Sequence, residues 1–115
     1  MVVFWGTIIE SFSTLSRLLR EHVLDEDSHN NALGLLGILS QNWTEILPGN
    51  ELRDQTIRGI SVHGLKTLDS LQLSSALLWT NKKPVNNGFV SLDKQLRTAA
   101  GKEGFVIIPE RMKDL

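Results

Sequence analysis

Apolar and polar positions alternate along this chain in a way that marks out strands and helices in succession. VVFW (2–5) is short, β-branched and aromatic and is broken by Gly6, which predicts a buried strand. TIIE follows as a capping-box pattern, with Thr7 as N-cap and Glu10 three residues on. Phe12, Leu15, Leu18 and Leu19 then continue at helical spacing, so the helix is expected to reach about His22. After the polar turn DEDSHNN, where Asp25, Asp27 or Ser28 is placed to cap, Leu33, Leu35, Leu36, Ile38 and Leu39 predict a second helix, weakened by Gly34 and Gly37. WTEILP (43–48) reads as a strand, and Asn50 as the cap of a helix over roughly 51–60 that SVHG breaks.

The stretch TLDSLQLSSALLW (67–79) is apolar around more than half of its helical circumference, with Lys66, Thr67, Ser70 and Ser74 as a narrow polar strip. A helix of that kind is normally enclosed by other elements. Asp69 lies off the polar strip, between Leu65 or Ala76 and Leu73, so it needs partners or must lose its charge. NKKPVNNG (81–88) is a loop by composition. GFVSLD, DKQLRTAAGKEG and FVIIP then read as strand, helix and strand, with Asp93 as the helix N-cap. Such a short crossover implies a parallel, right-handed pair. Strands interleaved with helices throughout predict an α/β fold with an open parallel sheet.

Composition narrows the chemistry. At 115 residues the chain is expected to be one domain, 1–115. A net charge of −1 supplies no global field to recruit nucleic acid or an anionic membrane, so local cations or a bound metal would have to attract a polyanion. The absence of cysteine excludes a disulfide framework, a thiolate metal site and a cysteine nucleophile, and fits a cytoplasmic protein. No apolar run is long enough to span a bilayer, and MVVFWGTII lacks the basic leader of a signal peptide.

Three carboxylates fall where ligands collect in open parallel sheets, beyond the carboxyl ends of strands. Asp93 ends GFVSLD, Glu10 comes one turn after VVFW, and Asp69 lies early in the helix that feeds GFVSLD. Converging carboxylates repel unless a cation sits between them, and oxygen-only ligation favours Mg²⁺ or Mn²⁺. Each acid also has a structural explanation: Glu10 closing its capping box, Asp93 capping its helix, Asp69 hydrogen-bonded in the core. His22, His29 and His63 share no metal-ligand spacing, no elbow presents a serine nucleophile, and there is no phosphate-binding glycine motif. Lys82, Lys83, Lys94 and Arg97 flank the expected cleft and are candidates for contacts to a phosphate backbone.

WGTIIESFSTLSRL, LKTLDSLQLSSALLW and GFVSLDKQLRTAAGKEGFVIIP together resemble the PIN-domain family, metal-dependent ribonucleases found as toxins of toxin–antitoxin pairs. LDSLQL and FVSLDKQL are the more specific segments. The resemblance implies a PIN-like sheet and RNA phosphodiester hydrolysis by an activated water. It further implies Mg²⁺ or Mn²⁺ held by Glu10, Asp69 and Asp93, with Ser91 beside the last acid. A homodimer and an antitoxin partner are implied as well. The chain departs from the family in starting at what matches its second strand. The first strand, its aspartate and the helical hairpin after it are missing, about four strands are left, and catalysis is expected to be weak or absent. The alternative is a non-catalytic PIN-like interaction module that folds or dimerises through a partner chain.

Overall fold

In the computed structural model, which describes residues 1–111, the elements follow one another as an α/β chain of parallel strands and helices. The chain divides into two compact units, Met1–Leu47 and a second that begins at Pro48.

The first unit runs β1 (Val2–Phe4), α1 (Thr7–Arg20), α2 (Glu26–Asn42) and β2 (Thr44–Ile46). β1 and β2 pair in parallel, Val2 opposite Thr44 and Phe4 opposite Ile46, and form a sheet of two strands. Parallel pairing requires a crossover, which here is the α1–α2 pair. Helix α1 begins one residue earlier than the TIIE pattern suggests. Gly6 occupies the N-cap position without a side-chain cap bond, and the Glu10 N–H donates to the Gly6 carbonyl at 3.1 Å. The expected capping box therefore does not form, because Thr7 is already the first helical residue. Helix α2 keeps its sequence-legible start: the Asp25 carboxylate accepts from the Ser28 N–H at 2.7 Å. Neither helix buries a residue completely.

The second unit runs α3 (Asn50–His63), α4 (Thr67–Trp79), β3 (Gly88–Val90), α5 (Lys94–Glu103) and β4 (Val106–Ile108). β3 and β4 pair in parallel across α5, as the short crossover requires, with Phe89 opposite Ile107. Leu65, Leu73, Leu77, Phe89, Leu96, Ala99, Ala100 and Phe105 make the core, so α4, α5 and the inner face of the sheet share one apolar interior. Helix α3 continues through SVHG to His63. It ends only where Gly64 adopts the left-handed conformation, φ 65°, that glycine takes without a steric penalty.

Leu73 and Leu77 of α4 are buried as expected, but the α3–α4 contact buries its serine side as well. Ser70, Ser74 and Ser75 are 0%, 1% and 1% exposed, whereas Leu68 and Trp79 are 47% and 55% exposed. Ser70 and Ser74 face α3 because Gly59 there has no side chain: a Cβ at that position would overlap the Ser70 hydroxyl. That hydroxyl donates to the Thr56 carbonyl at 2.7 Å, so the buried polar atom is satisfied. Small residues let two helix backbones approach closely. The narrow strip of α4 is a packing surface.

A second tie joins α3 to α5. Glu103 Oε2 lies 2.6 Å from His63 Nε2 and 2.9 Å from Arg58 Nη1, with the His63 and Glu103 side chains almost enclosed. Burial acts to raise the Glu103 carboxyl, but hydrogen bonds from Arg58 and His63, reinforced by the Arg58 charge, outweigh it and hold the group below its usual value of 4.5. A depressed carboxyl contributes stability above its unfolded value and loses it as pH falls through the folded one. Glu103→Gln is therefore expected to lower the melting temperature at pH 7 and to converge with the wild type as the buffer is taken below about pH 4. Thermal melts followed by circular dichroism check it, and curves that stay parallel at all pH values would remove the ionic role of Glu103.

Candidate functional site

The carboxyl end of β3 leads into the turn that carries Asp93. The strand ends at Val90, three residues earlier than GFVSLD suggests, and Ser91–Asp93 turn into α5. Ser91 stays in register long enough for its N–H to donate to the Ile108 carbonyl at 3.1 Å. Its hydroxyl then accepts from the Asp93 N–H at 3.1 Å, which closes the turn. Asp93 caps α5 through Oδ1, accepting from the Leu96 N–H at 2.8 Å. The carboxylate is exposed, and the cap uses one of its two oxygens. The structural role read from the sequence is present, and it leaves acceptor capacity on the same group.

Asp69 sits in the first turn of α4 and is partly buried. No side-chain hydrogen bond of Asp69 occurs among the described residues, so it is not the hydrogen-bonded core aspartate that its position on the wheel would otherwise suggest. Burial pushes its carboxyl above the ordinary aspartate range, the negative charge of Asp93 pushes it further, and Lys66 at the N-cap of α4 opposes both. The two aspartates thus lie within electrostatic reach of each other. Hydrogen bonds do not relieve their repulsion; a cation or a proton would.

Other sequence candidates are placed as follows. Glu10 is on α1 of the first unit. Lys94 opens α5 beside Asp93 and is exposed. Lys82 and Lys83 follow the far end of α4, about 15 Å or more along the helix from Asp69 at 1.5 Å per residue. Lys82 is left-handed there, φ 61°, and its N–H donates to the Leu77 carbonyl, so this stretch terminates α4. Arg97 is turned inward: its Nη1 donates to the Ser91 carbonyl at 2.9 Å and its Nη2 to the Pro109 carbonyl at 2.7 Å. His63 is engaged by Glu103. Among the described residues no three His, Cys, Asp or Glu side chains gather as a metal-binding group, and no helix is long and apolar enough to cross a membrane.

Sequence reasoning missed Lys66 and the structural use of Arg97. Lys66 was counted with the polar strip, although its place one turn before Ser70 already put it beside Asp69. Nothing in the sequence points Arg97 at two carbonyls, because those carbonyls belong to the ends of separate strands. The chain matches no family model, no curated protein and no solved structure.

Proposed function

We propose that the chain is a metal-dependent endoribonuclease of the PIN type, with Asp69 and Asp93 as its metal-holding pair. One observation carries the reading. A partly buried carboxylate without a hydrogen-bond donor is set in the field of a second carboxylate. Protein interiors tolerate that arrangement when the site works on a cation or a proton. Mg²⁺ is commonly held by one or two carboxylates, with water and substrate phosphate completing its shell, so two aspartates suffice as an oxygen donor set. Mn²⁺ suits the same oxygens. The bound ion would supply charge neutralisation at a phosphodiester and an activated water.

The residues contribute position. Asp93 is fixed by its cap and by the Ser91 hydroxyl, while Asp69 is held on a helix packed into the core. Lys94, exposed beside Asp93, is the described cation best placed to meet an incoming phosphate. In the hydrolysis a water oxygen bonds to phosphorus, one ester P–O bond breaks, and the leaving oxygen takes up a proton. An antitoxin chain and a second copy of this chain are the partners the reading brings with it.

Cleavage of a structured RNA in Mn²⁺, compared between wild type, Asp69→Asn and Asp93→Asn, tests it. Activity is expected in the wild type, weak in absolute terms, and lost on adding chelator and in both variants. Cleavage that persists in both variants would sink the site assignment.

A second reading is favoured by one observation on the first unit. Its helices bury no residue completely, and Ile9, Phe12, Leu35 and Ile38 are each more than half exposed. Large apolar side chains left open in this way are found where another chain binds. In this reading the chain is a non-catalytic interaction module and the aspartates are only structural. Mn²⁺ then leaves the melting temperature unchanged, whereas a metal site is stabilised by mass action.

A further inference from the structure

We propose that Arg97 is a positioning residue that sets the Ser91–Asp93 turn, and with it the Asp93 carboxylate, by bridging the ends of β3 and β4. Val90 and Ile108 are the last paired residues of the sheet, so Ser91 and Pro109 are the next positions on the two strands. The ladder makes one further bond, from the Ser91 N–H to the Ile108 carbonyl, and Arg97 takes over from there. Its two terminal nitrogens reach one carbonyl on each side, at 2.9 Å to Ser91 and 2.7 Å to Pro109. A guanidinium presents those donors as one rigid planar fork, so holding one carbonyl fixes the other relative to it.

The bridge acts directly on Asp93. Ser91 is clamped at its carbonyl by Arg97 and at its N–H by Ile108, which leaves its hydroxyl aimed at the Asp93 N–H. From the other side, the Arg97 N–H donates to the Asp93 carbonyl at 2.9 Å in the first turn of α5. Asp93 is therefore held between a fixed serine and the helix that carries the arginine. Two of the five N–H donors of the half-buried guanidinium are engaged by these carbonyls. The importance of this clamp for metal binding rests on the reading of Asp93 as a ligand; the clamp itself does not.

Amide exchange read residue by residue by NMR, without metal or RNA, tests the clamp in Arg97→Gln and Arg97→Lys. Both variants are expected to exchange about tenfold faster or more at Asp93 and Leu96, with Leu73 and Leu77 in the core changed by less than about twofold, the mark of a local opening. Lysine keeps the charge but cannot span both carbonyls, so Arg97→Lys should not rescue. Unchanged exchange at Asp93 and Leu96, a rise shared equally by the core amides, or full rescue by lysine would each overturn the proposal. If Arg97→Gln fails to fold, Arg97→Lys, which keeps the charge and the aliphatic stem, gives the same readings by itself. Faster exchange at Asp93 supports the clamp, and unchanged exchange overturns it. A parallel Mn²⁺ melt of the wild type keeps the two claims apart. No stabilisation there, with the exchange pattern intact, removes the metal reading and leaves Arg97 in its role.

Discussion

Asp69→Asn is expected to make the protein more stable and less active at the same time. In the metal-free protein, burial and the negative charge of Asp93 both oppose ionisation of the Asp69 carboxyl. A carboxyl raised on folding favours the fold below its unfolded value, and that contribution is lost as pH rises through the folded one. Removing the charge should raise the melting temperature at pH 7, and the gain should fade as pH falls through the raised folded value and be gone below about pH 4, where both proteins are neutral at this position. Added Mn²⁺ should reverse the order by stabilising the wild type alone; at a concentration one hundred times the dissociation constant, mass action contributes about 2.7 kcal/mol. Cleavage of RNA should fall by roughly a hundredfold or more, the scale seen when a group that orders transition-state charge is lost. Melts at two pH values with and without Mn²⁺ provide the check. A variant less stable than the wild type in the metal-free protein at pH 7 would show that Asp69 has a favourable partner and is not a strained carboxylate.

The largest loss of stability is expected from Gly59→Leu. Helix propensity alone favours the change, since glycine in a helix costs about 1 kcal/mol relative to alanine and leucine is a good helix former. Packing decides the other way. Even a Cβ at Gly59 meets the Ser70 hydroxyl, and Ser70 cannot retreat because it is fully buried and bonded to Thr56. Forcing a leucine between α3 and α4 separates the helices, exposes Ser70 and Ser74, and costs about 3 kcal/mol by the measure of overpacked cores. Denaturant unfolding gives the number. A smaller variant isolates the cause: Gly59→Ala should be destabilising in the wild-type background and much less so with Ser70→Gly, which removes the hydroxyl it strikes. A Gly59→Leu protein as stable as the wild type would mean that α3 and α4 are not held at this distance.

How much of this was visible in the residues alone depends on whether each feature is local. The cap at Asp93 was, and Asp25 was one of three candidates for the cap of α2, because a cap is an interaction over three residues. The parallel pairing of β3 with β4 was, because a ten-residue helix between two short apolar runs leaves no other connection. The direction of α4 was not. Its leucines outweigh its serines in any apolarity count, and the serines are buried only because Gly59, eleven residues earlier, lets a second backbone come close. For the same reason Asp69 stood out correctly as misplaced while the face opposite it was misread. The N-terminal capping box shows a different limit. TIIE has the right letters, but a one-residue shift of the helix start makes Gly6 the cap and dissolves the pattern. Of the candidate site, the proximity of Asp69 and Asp93 followed from strand-end logic. The clamp by Arg97 could not, since its acceptors are backbone atoms that carry no sequence signature.

The two parallel sheets differ in what the unfolded chain must give up to make them. Val2 meets Thr44 and Gly88 meets Val106, so the first pairing closes a loop of about 40 residues and the second one of about 20. Chain entropy charges about 0.6 kcal/mol for each doubling of a flexible loop, which makes the first sheet the dearer of the two before any side chain packs. The second sheet is also the one with a core beneath it, formed by Phe89 and Phe105, whose rings lie 5.5 Å apart. Both terms point the same way. The β3–α5–β4 turn of the chain, which holds Asp93, has the lower entropic threshold and the larger apolar reward.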